Sequence, residues 1–99
     1  PLLGISGSDV DERVAQYYDL PQGVLIRSVT EGSGAEAAGL KEGDIITMAD
    51  DQVITCMDEL NKVKDTHKAG EEMKLRIVRE GQAFNVTVKL MEEKPSTAQ

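Results

Sequence analysis

Few residues in this chain carry the chemistry of catalysis. There is one cysteine, Cys56, and one histidine, His67. No serine lies in a Gly-Asn-Ser-Gly-Gly or GxSxG context, so a hydrolytic triad cannot be assembled. Asp44, Asp50 and Asp51 follow no EF-hand spacing and read as turn aspartates. Gly32-Ser33-Gly34 lacks the GxxxxGK frame of a phosphate loop. No metal or cofactor is expected, and Cys56 reads as a small half-buried side chain. The chemistry on offer is that of the backbone. In Leu2-Leu3-Gly4-Ile5-Ser6-Gly7 the glycines leave N–H groups uncovered beside a strand edge. Such a row can receive another chain as an added strand.

The rest of the chain reads as the scaffold for that edge. Ser8 with Asp11, and Asp9 with Glu12, are overlapping N-cap signals, which predicts a short helix over about Asp11–Tyr18. Val10, Val14 and Tyr17 or Tyr18 would form its apolar face. Leu20-Pro21-Gln22-Gly23 is a turn. Gly23–Val29 and Ile45–Ala49 are β-branched runs of buried-strand type. Between them Ser33, with Glu36 at the capping-box position, opens a tiny alanine-rich helix that Gly39 stops. Val53-Ile54 is a short return strand. Thr55, with Asp58 three residues on, predicts a helix over about Met57–Lys68, with Leu60 and Val63 on its inner face and His67 near its C-terminus. Met73, Leu75 and Ile77, then Phe84, Val86, Val88 and Leu90, alternate with polar residues about an Arg79–Gln82 turn. The sum is a small α+β, partly open barrel or sandwich of five to six strands and two to three helices.

Ninety-nine residues make one domain, expected over residues 1–90, with 91–99 a flexible tail. The chain opens inside what reads as structure, so it is expected to belong to a longer protein. Three aromatic residues, Tyr17, Tyr18 and Phe84, dictate an aliphatic core. A formal charge of −7 argues against nucleic acid and against an anionic membrane surface, both of which need a basic footprint. No run approaches the roughly 20 apolar residues of a bilayer span.

The segment from Gly32-Ser33-Gly34-Ala35-Glu36 through Gly43-Asp44-Ile45-Ile46 resembles the GSPAExAGLxxGDxI signature of PDZ domains, and Leu2-Leu3-Gly4-Ile5 resembles their carboxylate-binding loop. Tyr17-Tyr18-Asp19-Leu20-Pro21, Met57-Asp58-Glu59-Leu60-Asn61 and Arg79-Glu80-Gly81 make the chain similar to PDZ domains of bacterial HtrA/Deg trypsin-like serine proteases. Gly34 stands where the family usually has proline, and Pro1, not a basic residue, precedes Leu2. The resemblance implies a non-catalytic peptide-binding module of a longer, extracytoplasmic or cell-envelope serine protease. C-terminal or unfolded polypeptide segments and the linked protease domain would be its partners, with oligomerisation through the full-length protein. It implies that the backbones of Leu3, Gly4 and Ile5 hold a peptide carboxylate, with the peptide strand beside Ile5-Ser6-Gly7. Leu2, Leu3, Ile5 and Leu60 would border the strand and its pocket, and Asn61 and Lys64 would flank upstream peptide residues. Gly4 is expected to serve binding rather than folding. A module of a tail-specific or intramembrane metalloprotease, or a spacer with an occupied groove, is the alternative.

Overall fold

The two β-branched runs form the middle of a single antiparallel sheet. A computed structural model describes residues 2–91. Its elements are β1 (Ile5–Val10), α1 (Glu12–Tyr18), β2 (Gly23–Val29), α2 (Gly34–Ala37), β3 (Ile45–Ala49), β4 (Gln52–Val53), α3 (Met57–Lys64), β5 (Glu72–Arg79) and β6 (Gln82–Lys89). The sheet order is β1-β2-β3-β5-β6, with β4 paired to β3. The expected strand and helix content is therefore present, and β1 is an edge. Of the expected tail 91–99, Met91 instead pairs with Leu2, and residues 92–99 lie outside the described residues.

Closure is partial. Leu2 and Met91 exchange backbone hydrogen bonds of 2.8 and 2.9 Å, joining the start of the chain to the end of the β6 side. Close backbone approach fixes one residue choice here: a Cβ on Gly34 would lie 1.8 Å from the Lys89 carbonyl oxygen. The glycine in the proline position is thus what lets α2 lie against β6.

The core is aliphatic. Val24, Ile26, Ile46, Met73, Ile77 and Val88 are inaccessible to solvent, whereas Tyr17 and Tyr18 are exposed. The tyrosines therefore do not form the inner face of α1. Ala15 does, with Val14 half-buried. At the hairpin tip Glu80 and Gly81 both have positive φ, 52° and 79°, the requirement of a two-residue type I′ turn.

Three expected boundaries shift because side chains find other partners, some local and some distant in sequence. Ser8 and Asp9 belong to β1, and Asp11 alone caps α1, accepting from Val14 N at 2.9 Å. Thr55 does not cap α3: Cys56 is its N-cap, and Thr55 donates both its N–H and its hydroxyl to Glu59 Oε1, at 2.7 and 2.6 Å. The helix ends at Lys64 rather than Lys68. Thr66 Oγ1 turns back to the Val63 carbonyl at 2.6 Å. His67, rather than facing the helix dipole, is held between Asp50 and Glu71.

One buried ion pair ties the β2–β3 side to β5. Asp44 is 1% exposed. Arg79 Nε donates to its Oδ1 at 2.8 Å and Nη2 to its Oδ2 at 2.6 Å, while Lys41 N donates to Oδ2 at 2.9 Å. Burial pushes the Asp44 pKa up, but these hydrogen bonds and the charges of Arg79 and Lys41 bring it below the ordinary carboxylate value.

Candidate functional site

The free edge of β1 is built by hydrogen bonds that face the other way. Thr30 N donates to the Gly4 carbonyl at 2.7 Å, and Ala35 N to the Leu3 carbonyl at 3.2 Å. Ile5 stands opposite Val29. In an antiparallel ladder a Thr30–Gly4 bond makes that neighbouring pair a non-bonded one. The N–H and C=O of Ile5 therefore project away from β2, onto the open edge. The N–H groups of Leu3 and Gly4 make no hydrogen bond to any described residue.

Gly4 sets this geometry and also serves the fold. Its φ is +93°, and a Cβ there would lie 2.2 Å from Ser33 Cβ. Ser33 is the N-cap of α2, accepting from Glu36 N at 3.1 Å. Replacing Gly4 thus strains the backbone and displaces a cap, which corrects the expectation that it acts on binding alone.

The opposite wall is α3. Its first N–H, from Met57, donates to Asp9 Oδ1 at 2.8 Å, and a Cβ on Gly7 would lie 3.1 Å from Met57 Sδ. The helix start is therefore fixed near the C-terminal half of β1. From Met57 to Lys64 the helix rises roughly 10 Å, about the distance β1 covers from Gly7 back to Gly4. The helix leads from that start to Lys64, which lines the same cavity as the Leu3-Gly4 loop.

Between the walls lies a cavity of about 370 Å³. Of the sequence-predicted residues, Leu2, Leu3, Gly4, Ile5, Leu60, Asn61 and Lys64 line it. Leu3 and Leu60 are shared with the core, at 5% and 1% exposure. Ser6 and Gly7 lie further along β1, outside the cavity. Sequence reasoning missed Thr30–Ser33, Met57 and Met91, which also line it. Ser33 carried a signal, its capping role, but only the Gly4–Thr30 bond reveals that its loop meets the groove.

A second concavity of about 440 Å³ lies over β3, β5 and β6 and has mixed charge, with Asp50, Asp51, Lys74 and Arg76 in its lining. Among the described residues no three His, Cys, Asp or Glu side chains are placed to hold a metal ion.

An open β1 edge, a glycine loop whose Leu3 and Gly4 N–H groups make no hydrogen bond to a described residue, and a facing helix border one groove. Residues 1–90 match the family model described as PDZ domain. The chain belongs to the PDZ domain family. This PDZ domain is 36% identical over 97 residues to a probable periplasmic serine protease do/HhoA-like of Haemophilus influenzae, covering 96% of the chain and 21% of that protein. Its fold matches the HtrA3 PDZ domain bound to a phage-derived ligand (FGRWV), with TM-score 0.76, 17% identity, and 89% and 82% of the two chains covered. It also matches the HtrA-type protease AlgW with a decapeptide, with TM-score 0.76, 25% identity, and 94% and 29% covered. The chain spans about a fifth of the length of the curated relatives it matches. The PDZ domain is itself a non-catalytic module.

Proposed function

We propose that this PDZ domain captures the apolar-ended C-terminus of a polypeptide by adding it as an antiparallel strand to the outer edge of β1. The observation that supports the proposal is that Leu3 and Gly4, whose N–H groups make no hydrogen bond to a described residue, line with Ile5 of the β1 edge the cavity that α3 walls. Converging N–H donors suit a carboxylate, and the Ile5 edge suits a peptide main chain. The last side chain enters the space bordered by Leu3, Ile5 and Leu60. The parent protein is a periplasmic serine protease of the Deg type, and the groove delivers substrate to its protease domain or regulates it. Ordering a short peptide is costly, so affinity is micromolar.

The test is a titration of one labelled peptide with a free C-terminal carboxylate and the same peptide amidated. The acid binds at least about tenfold more tightly, or ~1.4 kcal/mol. Equal affinities contradict carboxylate capture. Absence of binding by either peptide favours a spacer with a covered groove.

A further inference from the structure

We infer that Lys64 supplies the counter-charge for the bound carboxylate and so sets the preference of this groove for charged chain ends; this rests on the carboxylate-capture reading above. The loop from Leu2 to Gly7 contains no basic residue, so its N–H groups offer dipoles without a net positive charge. The protein as a whole carries −7, which opposes an incoming anion. Among the described residues lining the cavity only two are charged, Glu31 on the β2–α2 loop and Lys64 on α3. Lys64 is therefore the one cation that the described residues present to the groove.

Its placement fits the task. The Asp9–Met57 bond holds the start of α3 against β1, and the last residue of the helix, Lys64, lines the cavity together with Leu3 and Gly4. The Lys64 side chain is 17% exposed, so its stem is packed and little of it is free to wander in solvent. Among the described residues its one charged neighbour is Asp65, with Nζ–Oδ1 at 3.9 Å and the aspartate side chain 65% exposed. A pair that long and that exposed holds the ammonium weakly, so a carboxylate with two acceptor oxygens displaces it. The ammonium also sits at the negative end of α3, and helix stabilisation is the competing explanation of the residue.

Acid and amide peptides separate the two roles. An amidated terminus keeps a carbonyl acceptor for the loop N–H groups but has no charge for Lys64 to meet. The 99-residue chain is titrated with both peptides as wild type, Lys64→Met and Lys64→Arg. Met keeps an unbranched apolar stem, and Arg keeps the charge. In Lys64→Met the acid-over-amide preference falls from at least about tenfold to within about threefold, with acid affinity falling by more than amide affinity. Lys64→Arg retains most of the preference. The salt dependence of acid binding flattens in Lys64→Met. If Lys64→Met does not fold, Lys64→Gln takes its place, with thermal melts reporting integrity. A wild-type preference that survives unchanged in both neutral variants overturns the role of Lys64 alone. Loss of acid and amide affinity in equal proportion assigns Lys64 to helix structure and also overturns it. A wild type that does not distinguish acid from amide contradicts carboxylate capture itself, and the counter-charge role with it.

Discussion

Met57 N donates to Asp9 Oδ1 at 2.8 Å, linking residues 48 apart in sequence. The bond supplies α3 with the N-terminal acceptor that its own N-cap, Cys56, does not provide. It also ties the helix wall to the strand edge. Asp9→Ala lowers stability by about 1 kcal/mol, the usual worth of a cap. It weakens peptide affinity by more than Asp11→Ala does, although Asp11 caps a helix as well. Paired urea melts and peptide titrations of the two variants check this, and equal effects on binding contradict it.

Gly4→Ala destabilises the domain by at least about 1 kcal/mol, because an L side chain is placed at positive φ and against Ser33. Ser33→Gly in the same background removes the overlap at a cap cost of a few tenths of a kcal/mol. Part of the loss in denaturation midpoint is then recovered. No recovery means that backbone strain alone accounts for Gly4.

The hydrogen bond to Asp50 raises the His67 pKa; burial opposes this, and Glu71 adds to the rise. A histidine pKa raised on folding contributes stability that is complete below its unfolded value of about 6.5 and disappears as pH rises through the folded value. The wild type is therefore more stable relative to His67→Gln at pH 5.5 than at pH 8.5. Urea midpoints at the two pH values measure this. A gap that widens with pH contradicts the Asp50–His67 pairing.

Asp44→Asn removes the charge partner of the Arg79 guanidinium and the acceptor of the Lys41 N–H, and lowers the urea midpoint relative to wild type. The Asp44 pKa is lowered in the fold, so its contribution is present above the unfolded value of about 3.9 and is lost as pH falls through the folded one. Acid titration of stability shows a smaller drop in Asp44→Asn than in wild type.

What could be read from the sequence follows from how local each determinant is. Gly23–Val29 and Ile45–Ala49 carry their own β-branched pattern, and both strands were legible to the residue. Ser33 and Glu36 interact within one turn, so α2 was legible too. Asp9 looks like a cap for α1 because caps are recognised locally, yet its partner is Met57, supplied by the tertiary fold. The end of α3 was misplaced for the same reason: His67 is drawn to Asp50 across the structure. The loop at Leu3-Gly4-Ile5 was visible through its glycine. The Thr30–Ser33 side of the groove was not, because only chain folding brings it there.

The most direct test is an amide-resolved NMR titration of the chain with a free-acid peptide ending in an apolar residue. The largest shifts and the strongest new exchange protection fall on the N–H groups of Leu3, Gly4 and Ile5, with smaller changes along α3 from Met57 to Lys64. Shifts confined to the concavity over β3, β5 and β6, with Leu3, Gly4 and Ile5 unmoved, contradict strand addition at the β1 edge.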